Sequence, residues 1–175
     1  MSTIVQHLPA GTYTVDTVHS SFGFAIKYDF GTFRTTFDQV DAQLADGVLT
    51  GTAQVDSIQI GQPQFKAHVL SGEFFDADNH PEIVFSSTDL RANEDGSVEV
   101  DGELTIRGVT KLVTATGSYA AGTDAFGSDR VSFQLETSVD RREFGLNWQN
   151  PLPSGKESLA WDVTITVDLL LIKQP

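Results

Sequence analysis

The chain has 175 residues, no cysteine and a formal net charge of −13 at pH 7. The charge argues against a nucleic-acid partner, whose binding depends on cationic contacts to phosphate, and against a basic patch that docks on anionic membranes. The lack of cysteine excludes disulfides, thiolate nucleophiles and cysteine-ligated metals. The length favours one domain over residues 1–175.

The N-terminus shows no secretion signal. Residues 1–9 lack both a basic start and an apolar run of signal-peptide length. We therefore expect a cytoplasmic protein, although a mature secreted protein with an added methionine would look the same. The apolar run at 169–172 is far too short to span a bilayer, so no stable membrane insertion is expected.

Apolar and polar residues alternate along most of the chain, a pattern typical of β-strands with one buried face. The longest series runs from Leu159 to Leu171. Asp-Gly pairs at 46–47 and 95–96 predict tight hairpins, because glycine readily adopts positive φ. Helical spacing is suggested only over residues 64–71. The pattern predicts eight strands, at roughly 11–28, 32–45, 48–60, 82–92, 97–107, 110–121, 129–141 and 157–173.

This pattern predicts an all-β fold, an eight-stranded antiparallel up-and-down barrel with a short helix between strands three and four. Consecutive hairpins tend to lie side by side, and closure into a barrel removes exposed edges. A strand of about 12 residues, tilted by about 40°, makes a wall about 30 Å high. Such a barrel suits an elongated apolar ligand. A sandwich with a filled core is the alternative that periodicity leaves open.

Residues that could carry chemistry are present, but their spacing is not that of a catalytic or metal site. His19, His68 and His80 lie among aspartates, yet they match no metal-ligand motif. No serine occupies a Gly-x-Ser-x-Gly elbow. We therefore expect no catalytic residue, no metal and no cofactor. Arg141 and Arg142 follow a predicted strand, where an arginine can either grip an anionic head group or pair with a local carboxylate.

Four motifs in order resemble the YceI-like family over nearly the whole chain, from Tyr13 to Ile172. They are Tyr13-Thr14-Val15-Asp16 with His19, Ser20 and Phe24; His68, Ser71, Phe74-Phe75-Asp76, Pro81, Phe85 and Ser87; the run 102–111; and Arg142 with Phe144-Gly145-Leu146 and Trp148. The resemblance implies a lipocalin-like barrel with an elongated apolar cavity that binds polyisoprenoids or similar amphiphiles. It implies no enzymatic reaction, and many such proteins are periplasmic.

The chain departs from the family pattern at two places. Phe65-Lys66 stands where members often have Arg-Asp before the helix histidine. The turn within residues 27–33 comes several residues sooner than in many members. If this segment lines the cavity mouth, the ligand differs more than the fold does.

We expect the protein to bind, sequester or transport a long-chain amphiphile such as a polyisoprenoid, a fatty chain or a quinone. Ten buried methylenes at about 0.8 kcal/mol each give about 8 kcal/mol before costs, or roughly micromolar affinity. The residues predicted to contact this ligand are mostly aromatic. They are Phe22, Phe24, Phe33, Phe37, Phe74, Phe85, Phe133, Trp148, Trp161, Val163, His19 and Arg142.

Two other functions fit the same sequence. An enzyme acting on a hydrophobic substrate would bring His19 and His68 together at the cavity. A structural or interaction module, expected to be a homodimer, would have a filled barrel and a large exposed apolar patch.

Overall fold

The computed structural model describes residues 8–175. The interpretation of the N-terminus used residues 1–9, of which 1–7 lie outside that range. The described chain forms ten antiparallel strands in one sheet and one α-helix, α1 (Pro63–Leu70), between β5 and β6. The strands are β1 (Thr12–Val15), β2 (Ser21–Tyr28), β3 (Gly31–Phe37), β4 (Val40–Ala45), β5 (Val48–Gln54), β6 (Glu82–Ala92), β7 (Ser97–Ile106), β8 (Val109–Thr123), β9 (Asp129–Asp140) and β10 (Leu159–Lys173).

The sheet closes into an eight-position barrel because β10 pairs on both of its edges. One edge pairs with β9 throughout, and the other pairs first with β2 and then with β1. β1 in turn pairs with β4, and β4 through β9 follow as successive neighbours. The predicted closed antiparallel barrel with one short helix is therefore confirmed.

Ten strands fill eight positions because the first two predicted strands are each broken. The break between β1 and β2 is a turn in which the Asp16 carboxylate accepts from the Val18 amide at 3.0 Å. Ser20 then accepts from the Leu170 amide at 2.9 Å, which fixes the chain to β10. The break between β3 and β4 falls at 38–39, where the amides of Asp38 and Gln39 both donate to Ser57.

One end of the barrel, here called the filled end, is packed solid. Large side chains from many strands meet there and are almost entirely excluded from solvent. Interiors packed to this density leave no room for a ligand. The largest of these residues are Tyr13, Leu44, Leu90, Val100, Val131, Phe133 and Leu171.

The other end, here called the open end, carries α1. Pro63 occupies the first helical turn, where its missing amide costs nothing, and Gln62 caps the helix by accepting from the Phe65 amide. Val69 and Phe75, on the helix and the turn after it, are buried in the second apolar cluster of the barrel. Within residues 8–175, no helix has the length and apolar character needed to cross a membrane.

Candidate functional site

Between the two ends the barrel is hollow. The cavity has a volume of about 600 Å³, in the middle of the range of about 300–1,000 Å³ that is usual for ligand sites. Its lining is nearly all apolar and comes from α1 and from inward-facing residues of most strands.

The cavity is deep as well as apolar. Along β10 its lining runs from Leu159 to Leu169. Ten residues at about 3.3 Å each span about 33 Å along a strand, or about 25 Å along the barrel axis at a tilt of about 40°. The filled end closes the bottom of this space.

Small inward-facing residues leave this space unfilled. Gly51 and Ala115 both line the cavity and contribute little or no side chain to it. The Phe22 ring packs against Gly51, where an added Cβ would lie 3.4 Å from it. On the neighbouring wall, a Cβ at Gly102 would lie 2.4 Å from the Phe85 ring, so glycine is needed there for the ring to lie flat on the wall.

Five aromatic rings contact one another around the open end, most of them edge to face. Phe24 has its ring centroid 6.0 Å from that of Phe37 and 6.3 Å from that of Phe75. On the helix side, Phe33 and Phe65 are 5.5 Å apart with nearly perpendicular rings. Such aromatic pairs prefer specific ring orientations. The cavity mouth therefore has a defined shape.

A second group of aromatic rings lies beside the cavity mouth. His68 on α1 has its ring 5.1 Å from Phe74 and 5.2 Å from Trp148, and all three line the cavity. The His68 Nε2 atom lies 3.2 Å from a Glu73 carboxylate oxygen.

The two departures from the family pattern meet at this open end. Phe65, from the first of these places, packs on Phe33, from the second. Tyr28 and Asp29 from that turn also line the cavity.

Most residues predicted to contact ligand do line the cavity. The structure brings together eight of the twelve: Phe22, Phe24, Phe33, Phe37, Phe74, Phe85, Trp148 and Val163. Their contact with a ligand stays a prediction.

Two predicted wall residues lie elsewhere. Phe133 faces inward but is 1% exposed and belongs to the filled end, because alternation gives the face of a residue and not its depth. Trp161 lies at an irregularity in the β10–β2 register between Leu159 and Val163, which interrupts the cavity-facing alternation. Its ring packs against the guanidinium groups of Arg141 at 4.3 Å and Arg142 at 4.6 Å.

The two predicted polar contacts also lie off the cavity. His19 is 65% exposed in the turn between β1 and β2, with its Nδ1 atom 2.9 Å from an Asp16 oxygen. Arg142 is half exposed and pairs with Asp140 at 2.6 Å, which is the local-carboxylate alternative. The hydrogen bonds from Arg142 lower the pKa of Asp140.

The convergence of His19 and His68 that the enzyme alternative requires is not observed. His68 lines the cavity at the open end, whereas His19 is next to Ser20, which bonds to the Leu170 backbone below the cavity lining. Among residues 8–175, no group of three or more histidine, aspartate or glutamate side chains is placed to hold a metal ion. The filled-barrel alternative fails as well, since only one end is solid.

The sequence suggested Arg141 or Arg142 as a head-group contact, but the predicted contacts included only Arg142 and left out Arg141, which is buried. It is 4% exposed and lines the cavity. Its Nε donates to the Ala160 carbonyl at 2.8 Å, and its Nη1 donates to the carbonyls of Leu146 and Trp148, both at 2.7 Å. Burial lowers the pKa of Arg141. The signal was available, because inward residues of β9 have odd numbers and 141 continues that series.

A closed antiparallel barrel with a solid end and a deep apolar cavity at the other belongs to the lipocalin-like class of binding folds. The profile of the YceI-like domain matches residues 13–171, and the chain belongs to that family. A UPF0312 protein of Vibrio parahaemolyticus is 30% identical over 158 residues, which cover 82% of this chain and 84% of that protein.

Solved structures share the fold. BcnA of Burkholderia cenocepacia superposes with a TM-score of 0.75 at 22% identity, covering 89% of this chain and 98% of that one. A polyisoprenoid-binding domain from Saccharophagus degradans, implicated in plant cell wall breakdown, gives a TM-score of 0.74 at 12% identity, covering 93% and 98%. At these identities the likeness shows the fold alone.

Proposed function

We propose that this protein binds one long-chain amphiphile, with the apolar chain along the barrel axis and the polar head at the open end. The observation that carries the proposal is the deep apolar cavity of about 600 Å³, closed below and open beside α1. The polyisoprenoid-binding description of the Saccharophagus degradans domain supports the same class of ligand.

The depth of the cavity sets the length of the chain that it can hold extended. Carbon–carbon bonds of about 1.5 Å advance a zigzag chain by about 1.3 Å per carbon, so a depth of about 25 Å accepts about 20 carbons in a line. A fatty chain and a short polyisoprenoid both fit this length. Burying even ten methylenes gives about 8 kcal/mol, enough for roughly micromolar affinity before costs.

The protein acts by sequestering or carrying its ligand and not by transforming it. General acid–base catalysis needs positioned partners within hydrogen-bond reach of the substrate. His68 lines the cavity but points Nε2 to Glu73, an exposed side chain, and His19 lies beyond the far end of the cavity. The apolar walls bury the hydrocarbon chain of the ligand, and this burial is sufficient for binding.

Native mass spectrometry of protein purified without lipid removal tests the proposal. We expect a mass increase that corresponds to a single amphiphile, and lipid extraction should release it. After extraction, added palmitic acid and geranylgeraniol should each bind with a stoichiometry of one. If the untreated protein carries no amphiphile and neither probe binds, the proposal is wrong.

A matched pair of variants on β10 controls for specific binding. Val167 lines the cavity and Thr166, its neighbour, faces outward. Val167→Asp places a carboxylate on the apolar wall and should abolish binding, whereas Thr166→Asp should leave it intact. Both variants are checked for fold by circular dichroism. Equal loss in the two would mean that the probes bind outside the cavity.

A further inference from the structure

Arg141 is a buried charge in the lining of a cavity whose walls are mostly apolar. It lies just after β9 at the open end, in the 3-10 turn Arg141–Phe144, and exposes only 4% of its surface. Its short hydrogen bonds all go to backbone carbonyls, which are neutral acceptors. A buried guanidinium that is hydrogen-bonded to no carboxylate is costly, because it has given up its hydration.

No carboxylate of the described residues pairs with Arg141. Its sequence neighbour Asp140 is held by Arg142, whose Nε and Nη2 donate to it at 3.0 and 2.6 Å. Asp140 and Glu157 act on the Arg141 charge only through space. The contrast with Arg91 is clear, since that arginine is more exposed and still ion-pairs with three carboxylates.

The guanidinium also keeps donor capacity. Of its five N–H groups, three make the short bonds from Nε and Nη1. The two hydrogens of Nη2 have a single long contact, 3.4 Å to the Leu159 carbonyl. Leu159 and Ser158 line the cavity beside Arg141. Arg141 therefore brings to the cavity lining a positive charge and a donor group that the protein uses only weakly.

We infer that Arg141 anchors an anionic head group, so that the ligand is a single-chain amphiphile ending in a carboxylate or a phosphate. The head accepts from Nη2 at the open end, and the chain runs down the apolar walls toward the filled end. Arginine suits this task because it stays charged and matches planar or tetrahedral oxyanions. The inference rests on the proposed function, of which it names the ligand class.

Binding of matched ligands to the unaltered protein tests the inference. Hexadecanoic acid, hexadecyl phosphate, hexadecanol and hexadecanamide share a chain and differ in the head. At about pH 8 both acids are ionised. We expect the two anions to bind about ten- to a hundredfold more tightly than the alcohol and the amide, as hydrogen bonds to charged groups do. The stronger of the two anions identifies the head as carboxylate or phosphate.

The outcomes separate the two proposals. Equal affinity for all four ligands overturns the role of Arg141 and leaves the carrier function standing. Binding of none overturns the carrier function itself.

Variants of the two adjacent arginines locate the effect. Arg141→Met should remove the advantage of the anions while the affinity for hexadecanol changes little, and Arg142→Met, outside the cavity, should keep the advantage. Loss of the advantage in Arg142→Met alone would contradict the inference. If Arg141→Met does not fold, Arg141→Lys replaces it, because lysine keeps the charge but lacks the paired N–H donors of the guanidinium, and it should reduce the preference for the anions. The four-ligand series on the unaltered protein still decides whether the site prefers an anionic head group.

Discussion

The depth of the cavity predicts how affinity depends on chain length. Ala115 on β8 is 8% exposed and lies at the bottom of the cavity, where it also packs on the filled end. Ala115→Leu adds three carbon atoms to the lumen, so an extended chain must stop about three carbons earlier. At about 0.8 kcal/mol per methylene this costs about 2.4 kcal/mol, or about 50-fold in Kd, for chains long enough to reach the bottom.

Displacement of a fluorescent fatty acid by unlabelled fatty acids of increasing length measures this. In the unaltered protein, each added methylene should tighten binding about fourfold until the chain reaches the filled end, and further carbons should add nothing. In Ala115→Leu the same plateau should arrive about three carbons sooner. Shorter acids should bind both proteins equally.

Ala92→Leu is the matched control, because Ala92 is fully buried in the filled end and does not line the cavity. Overpacking there should lower the free energy of unfolding by about 1–3 kcal/mol and leave the plateau unchanged. Ala115→Leu fills open space and should keep its stability. A plateau at the same chain length in Ala115→Leu and the unaltered protein would refute the axial placement of the chain.

Three further predictions concern the wall and its surface. Phe133→Ala should lower the free energy of unfolding by about 3–5 kcal/mol in chemical denaturation, because it empties part of the filled end; a loss below 1 kcal/mol would contradict that packing. Gly117→Ala should destabilise the barrel strongly in thermal melts, since its Cβ would lie 1.7 Å from a carbonyl oxygen of β9, whereas Gly122→Ala on the same strand meets nothing within 4 Å and should be nearly neutral. Arg142→Met should raise the pKa of Asp140 toward its ordinary value, which an NMR titration measures. Because folding lowers this pKa, the ion pair stabilises the protein above the pKa of Asp140 in the unfolded state, and the stabilisation is lost as the pH falls through the pKa in the folded state. The variant lacks this contribution and should therefore lose less stability than the unaltered protein on acidification.

Alternation along the strands predicted the barrel because one buried face per strand is a local property. The breaks in the first two predicted strands were missed because distant partners, as well as the local turn at Asp16, hold the chain at these points. Ser20 is held by Leu170, and residues 38–39 are held by Ser57, which are partners that the sequence does not identify. The alternation predicted one strand over residues 11–28, which runs through the turn at Asp16.

The candidate site was predicted from residue type and from the face of each strand that a residue occupies. These two criteria explain the residues that were placed wrongly. Phe133 has the correct face and the wrong depth. Arg142 was chosen over Arg141 because it belongs to a family motif, although the inward series of β9 continues to 141. A charged residue that continues the inward series of a barrel strand indicates a functional position more strongly than membership of a motif does, since burying an arginine is costly.

Whether a barrel is hollow depends on the sizes of the side chains that face one another at the same height on opposite walls. A period-two pattern carries no information on which residues share a height. At the filled end, bulky residues such as Tyr13, Leu44 and Phe133 meet. At the height of the cavity, the inward positions include Gly51 and Ala115, and the remaining volume is not repacked by neighbours. The small side chains of the wall therefore leave this volume open. The unliganded protein should therefore keep its cavity, and ligand should add to stability by mass action without being required for folding.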